Sequence, residues 1–257
     1  MILDAESVIA KHYLEQVGYR VTPIQASQCE KRADLFAEYE KDTLAVEVKS
    51  RFDEDAIQDV VAGSSVGDIT PYQVSLEKNN AVSKVISEAC KQIKNIQASK
   101  GAKFGILWFR PQPKTGFLDS PEVLLATLLG VKWAMVRPPN GEWAWMRCYR
   151  CTYSDYYRYT DIDATVINHD NEGQMLLNPF SPRLEEFRSS RICEYFLSRN
   201  AVISPEQEER EGSALILRSE ADLSDERTVA NALEAQYAGY TVKFAEMQSI
   251  GGVLRYK

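Results

Sequence analysis

Asp34, Glu47 and Lys49 are the residues of this chain whose types and spacing suggest chemistry. The segment "LAVEVKS", residues 44 to 50, alternates as a strand does: Leu44, Val46 and Val48 fall on one face, Ala45, Glu47 and Lys49 on the other. A carboxylate and an ammonium one step apart fit either a solvent-exposed face or a metal site with a lysine beside it. Glu47-Val48-Lys49 is the only [DE]-x-K match in the chain. Upstream, "KRADLFAEY" supplies Asp34 near the start of a neighbouring strand, and "KDT" closes the hairpin between them. Two strands joined by so tight a turn bring Asp34 and Glu47 together across the sheet. Converging carboxylates repel unless a cation lies between them. Mg²⁺ suits such a place, since it takes one or two protein carboxylates and fills its remaining positions with water and phosphate oxygens. A metal so held lowers the pKa of bound water, and a nearby lysine can orient that water or stabilise the transition state.

Two further residues fit the constellation. Glu6 falls on the apolar stripe of the first helical segment, with Leu3, Ala10, Tyr13, Leu14 and Val17. A carboxylate there must be neutralised, paired or ligating; alternatively it complements the dipole at a helix start. Gln92 lies at the edge of the apolar stripe of a later helix, as a site member or as a boundary glutamine.

The elements that must position these residues are legible as patterns. Residues 3 to 17 have helical periodicity and stop at Gly18. "YRVTPI", "ADLFAEYE" and "LAVEVKS" read as strands. Residues 54 to 61 are a candidate short helix, followed by the loop "AGSSVGDITPY". Residues 81 to 100 form an amphipathic helix, "KFGILWF" a buried strand, and "PEVLLATLLG" a helix with Pro at its start. "VKWAMVRPPNGEWAWMRCYR" reads as two strands around an Asn-Gly turn. Beyond it come strands near 162 to 168 and 174 to 178, one helix at 182 to 198, and the solvated loop "SPEQEEREGS". The strand "ALILR", a helix near 225 to 238, and the strands "YTVKFAEM" and "GVLRYK" complete the chain. Helices and strands mixed throughout predict an α/β class with mixed sheets.

The order helix-Glu6, Asp34, Glu47-Val48-Lys49, then a helix with Gln92, resembles the restriction-endonuclease-like, or PD-(D/E)XK, nuclease superfamily. "AESVIAKHYLEQVGYRV" and "RADLFAEYEKDTLAVEVKSR" look most like its small Holliday-junction-resolvase-like branch. The resemblance covers about residues 3 to 109, with "RAD" standing where the family name has Pro-Asp. It implies a mixed core sheet flanked by helices and Mg²⁺-dependent phosphodiester hydrolysis, with Mn²⁺ as a substitute. It also implies metal ligands at Asp34 and Glu47, a catalytic Lys49, and supporting roles for Glu6 and Gln92. Restriction, phage defence, repair and recombination are the settings it suggests, with DNA the expected substrate. The alternative is a catalytically silent module of the same fold that binds nucleic acid or a protein.

Composition narrows the rest. The net charge of −7 argues against a generally basic coat, yet 12 of the 14 lysines lie in residues 1 to 137. Those between 78 and 103 form a stripe, of which Lys84, Lys91 and Lys94 are candidate phosphate contacts. The acidic second half is suited to a homodimer contact or a partner protein. Five cysteines without framework spacing and an N-terminus without a signal-peptide pattern fit the cytoplasm. "CYRC" at 148 to 151 reads as two structural cysteines rather than half a zinc site. The aromatic run Trp143 to Tyr159, interleaved with Arg147, Arg150 and Arg158, reads as packing or as a stacking surface for unpaired bases. A boundary at 138/139 separates a nuclease-like domain from a mixed α/β accessory domain. The latter is readable as a degenerate copy, with Asp163 laid on Asp34, Leu176 on Glu47 and Asn178 on Lys49.

Overall fold

A computed structural model describes residues 3–24, 33–52, 63, 65, 69–112, 121–169 and 172–254. In chain order, α1 (Ala5–Val17) leads into β1 (Arg20–Pro23), β2 (Leu35–Tyr39), β3 (Asp42–Phe52), β4 (Ile69–Ser75), α2 (Asn80–Lys100) and β5 (Phe104–Gln112). Next come α3 (Pro121–Leu129), β6 (Lys132–Arg137), β7 (Ala144–Tyr149), the single turn α4 (Asp155–Arg158), β8 (Ala164–His169) and β9 (Glu172–Leu177). The last part holds α5 (Leu184–Arg188), α6 (Arg191–Leu197), β10 (Val202–Ile203), α7 (Pro205–Arg210) and β11 (Ala214–Ile216). It ends with α8 (Glu226–Gln236), β12 (Thr241–Phe244) and β13 (Gln248–Leu254). The class is α/β. Among the described residues no helix is long and apolar enough to cross a membrane.

The chain folds into two compact units, each assembled from three separate stretches. The first takes Met1–Ser50, Asn80–Pro111 and Tyr156–Ser204; the second takes the segments between and after them. The first unit is built on a seven-stranded mixed sheet in the order β1-β2-β3-β5-β8-β9-β10. Strand alternation gives each of its faces a separate covering. Leu44, Val46 and Val48 of β3 join Phe104, Ile106 and Trp108 of β5 on one face, against Ala10 and Leu14 of α1 and Phe196 of α6. On the other face Gly105 packs against α2, whose buried stripe is Val82, Ile86, Ala89, Cys90, Ile93 and Ile96. The helix starts and stops follow local rules. The Asp4 side chain accepts from the Ser7 N–H at 2.7 Å to cap α1, and Gly18 (φ 107°) ends it in the left-handed conformation.

A buried polar bracket ties β8 to the loop before α5. Asp163 has no exposed surface; it accepts from the Gly105 N–H at 2.8 Å, from the Ser181 hydroxyl, and from Arg183 Nη2 at 3.0 Å. Asn178 Nδ2 donates to the Ile162 carbonyl at 2.7 Å. These are the two residues that the repeat alignment laid on Asp34 and Lys49, and here they hold a loop.

The second unit contains a four-stranded sheet, β11-β7-β6-β12, and the two-stranded ribbon β4-β13. α8 covers one face of the larger sheet, with Val229 and Leu233 packed on Ala134, Val136, Cys148 and Val242. The β6–β7 hairpin turns through Asn140 (φ 60°), in a turn that the Gly141 N–H closes onto the Pro138 carbonyl at 3.1 Å.

Several sequence expectations need correction. The 138/139 cut falls in the β6–β7 turn, inside one sheet, and residues 156–204 belong with the first unit. Residues 139–257 form no second copy, because β8, β9 and β10 extend the sheet that already contains β2 and β3. The helix expected at 182 to 198 is broken into α5 and α6, since Ser190 leaves the helical conformation and its Oγ accepts from the Cys193 N–H at 3.3 Å. "SPEQEEREGS" contains helix α7, with Pro205 in its first position and Glu206 and Glu208 in its first turn. β4 begins at Ile69, inside the stretch read as a loop; the candidate helix at 54 to 61 lies outside the described residues.

Gly105 supplies a test of the packing. A Cβ there would lie 2.3 Å from the Asp161 carbonyl oxygen and 2.5 Å from Ile93 Cγ2, so sheet and helix can approach only over a glycine. Gly105→Ala should cost about 1–3 kcal/mol in urea unfolding, the usual scale for overpacking. An unchanged midpoint would mean that α2 is not seated on β5 in this way.

Candidate active site

The β2–β3 hairpin brings the two acids together. Its register pairs Leu35 with Val46 and Phe36 with Ala45; one step further sets Asp34 opposite Glu47. Asp34, Phe36, Ala45, Glu47 and Lys49 therefore share the sheet face that α2 covers. Lys100 of α2 lies over the Phe36 ring at 5.4 Å from its centroid, which fixes that helix on the same side. The backbone locks the pair further, for the Val48 N–H donates to Asp34 Oδ2 at 2.8 Å.

Glu47 is wholly buried. Its Oε1 accepts from Lys49 Nζ, and Lys49 Nζ reaches on to Gln92 Oε1 of α2 at 3.2 Å. Its Oε2 is buried without a donor. Burial pushes the Glu47 carboxyl up from its usual range to about 8, the neighbouring Asp34 charge adds to this, and Lys49 opposes it. Asp34 is raised as well, first by burial, against the pull of the Val48 N–H and Lys49, with the charge of Asp4 pushing the same way as burial. Facing carboxyls repel while both are charged, and the repulsion eases once one holds a proton or a cation lies between them. A shared proton or a cation must occupy this place.

The donor set suits a hard divalent ion. Two carboxylates supply oxygen only, one with an oxygen that nothing else satisfies, and Lys49 is anchored beside them. Among the described residues no group of three or more His, Cys, Asp and Glu side chains is arranged to hold a metal. Two carboxylates alone would leave the remaining positions of such an ion to water and substrate oxygens.

Four of the five residues singled out for the site are described in direct relation to one another: Asp34, Glu47, Lys49 and Gln92. Glu6 is half-buried in the first turn of α1. The residue sequence reasoning missed is Asp4, whose charge reaches Asp34. Its helix-capping role is the signal that could have found it, because a cap at the start of α1 is placed by the same packing that places Glu6. Of the lysines, Lys84 and Lys91 are exposed on α2, whereas Lys94 is paired with Asp161 at 2.8 Å. Lys78 is committed elsewhere, to the buried carboxylate of Asp155 at 2.8 Å. No protein-family model matches the chain, and no curated protein matches it either.

The pair makes stability depend on pH. Because folding raises the Glu47 pKa, the native state holds a proton that the unfolded state releases between about pH 4.5 and 8. Stability in EDTA should fall as pH rises through that window. Glu47→Gln, neutral at every pH, should flatten the fall, and millimolar Mg²⁺ should oppose it in the wild type. Thermal melts from pH 5 to 9 would check this; equal slopes for the two proteins would mean that Glu47 is ionised and satisfied without any cation.

Proposed function

We propose that this protein is a divalent-metal-dependent nuclease that hydrolyses phosphodiester bonds, with DNA as its substrate. The observation that carries the reading is the fully buried Glu47 carboxylate, set opposite Asp34, with one oxygen undonated and Lys49 fixed beside it. A structural ion pair would not need the second acid. The chain's resemblance to PD-(D/E)XK nucleases over residues 3 to 109 supports the same reading, as do the exposed Lys84 and Lys91 on the helix that bears Gln92. A cytoplasmic role in restriction, phage defence, repair or recombination fits this activity.

The residues divide the work as follows. Asp34 and Glu47 would hold Mg²⁺, which supplies Lewis-acid polarisation of the phosphate and an acidified water. Val48 keeps Asp34 from turning away, by its N–H to Oδ2. Lys49 places a positive charge where negative charge develops on the phosphate oxygens, and can hold the attacking water by hydrogen bonding. Gln92 accepts from Lys49 and so limits where that ammonium can go. Lys84 and Lys91 meet the phosphate backbone away from the scissile bond.

The first experiment is incubation of the full chain with supercoiled, linear, branched and single-stranded substrates in Mg²⁺, Mn²⁺ or EDTA. Cleavage with either metal and none in EDTA is expected. Lys49→Ala should lower the cleavage rate on the order of a hundredfold, as removal of one positioned electrostatic group does, and leave binding nearly unchanged. Asp34→Asn should abolish cleavage. A wild type that binds these substrates yet never cuts, and matches Lys49→Ala in doing so, would instead make the protein a silent binding module.

A further inference from the structure

Among the described residues, the larger sheet of the second unit has one face under α8 and another with helix contacts at one end only. At the covered end, Trp133 and Arg147 are each given an acid by a helix. Trp133 Nε1 donates to Glu122 at 3.1 Å, and Arg147 donates to Glu122 at 2.6 Å and to Glu208 at 3.1 Å. At the other end the same residue types recur without the acids. The register lines up Lys243, Met135 and Trp145 in one row across β12, β6 and β7, with Arg137 and Thr241 in the next row of that face. Trp145 is 50% exposed and Trp143, just before β7, 36%. The Arg137 guanidinium lies 5.2 Å and Lys243 Nζ 5.1 Å from the Trp143 ring centroid. Both cations are exposed, and among the described residues neither forms an ion pair.

Isolated apolar residues on a surface are ordinary. Two neighbouring indoles with two cations that lack an acidic partner among the described residues, in a chain of net charge −7, form a surface with a definite complement. Its partner must be flat, aromatic and anionic. Neighbouring strands lie about 4.8 Å apart, so the Lys243–Met135–Trp145 row spans about 10 Å, room for a short stretch of extended strand. An acidic peptide would satisfy the cations but not the indole faces, and duplex nucleic acid hides its base faces inside the stack. We propose that this face binds single-stranded nucleic acid, with a base stacked on Trp145 and phosphates against Arg137 and Lys243, which Trp143 holds beside it. The inference stands on the second unit alone and does not require that the protein cleave anything.

The test uses the full chain in EDTA, with fluorescein-labelled 15-mers of dT and rU and a duplex of equal length, read by anisotropy and by tryptophan quenching. Single strands should bind more tightly than duplex and quench the emission. Binding of either arm supports the proposal, and a preference between them names the sugar. Trp145→Ala should weaken single-strand binding on the order of tenfold, given the usual worth of one stacked base, whereas Trp145→Phe should keep most of it. The double variant Arg137→Ala with Lys243→Ala should reduce the salt slope by about 1.4, two contacts at about 0.7 each. Quenching that Trp145→Ala removes reports on this surface, whereas anisotropy also includes binding at the proposed cleavage site, so the two readouts tell the sites apart. Duplex that quenches the tryptophan emission as strongly as single strand, or a Trp145→Ala protein whose quenching titration and circular-dichroism spectrum are both unchanged, would overturn the proposal. So would self-association that Trp145→Ala abolishes while no oligonucleotide quenches the wild type, since the occupant would then be a second copy of the chain.

Discussion

A carboxylate taken wholly out of water must find a proton, a cation or a full set of donors, and Glu47 has donors for only one of its oxygens. Lys49 satisfies Oε1. What remains is a second carboxyl, Asp34, facing the first, and two acceptors cannot satisfy each other. The free energy of such a pair falls steeply once positive charge enters between them. In a protein that needs no such charge, an apolar residue at position 47 would be the less costly choice, because Leu44, Ala45, Val46 and Val48 around it on that strand are buried and apolar.

The surrounding fold follows from keeping that pair aligned. A one-residue slip of β2 against β3 would put Asp34 opposite another residue and turn it to the α1 face. The apolar alternation of Leu35, Ala37, Leu44, Val46 and Val48 penalises that slip, since it would bring Phe36 and Glu38 into a core already filled by Leu14, Trp108 and Phe196. α2 must then lie close enough for Gln92 to reach Lys49, and Gly105 permits the approach. Gly105 also donates to Asp163, so the bracket that orders the loop before α5 is tied to the strand beneath α2. Site and scaffold share their constraints.

How much of this was legible in the sequence depended on range. The pairing of Asp34 with Glu47 was readable, because a tight "KDT" turn fixes register locally and alternation fixes the face. Gln92 was readable as the edge of a strongly amphipathic stripe. Asp4 was readable only as a helix cap, since its charge acts on Asp34 only once the chain has returned through β1 and β2. The grouping of the chain also escaped: β8 pairs in parallel with β5 across more than fifty residues, and no pattern within "ATVIN" says which strand it will join. α7 was hidden by its acids. "PEQEER" looks solvated, yet Glu208 accepts from Arg147 and Tyr149, and Glu209 from Arg218, so the charge density that suggested a loop is consumed by partners distant in sequence.

The same logic of supplied and withheld partners distinguishes the two places where this protein keeps unusual charge. In the first unit, both acids at the Asp34–Glu47 pair are raised, Asp4 adds to the repulsion around Asp34, and one lysine stands against them. With both carboxyls ionised the pair and Lys49 carry a net charge of −1, and Asp4 makes the surroundings more negative still. That balance favours a divalent cation over the single proton as pH rises, and a cation taking over Glu47 would loosen the hold of the carboxylate on Lys49. Gln92 would then be the partner that keeps the ammonium in place, which gives a neutral glutamine, rather than a third acid, a physical reason to stand there. A carboxylate at 92 would bind Lys49 more tightly and compete with a phosphate for it. In the second unit the imbalance runs the other way, with cations left over beside exposed indoles. Exposed cations beside exposed indoles suit a ligand that brings its own negative charge.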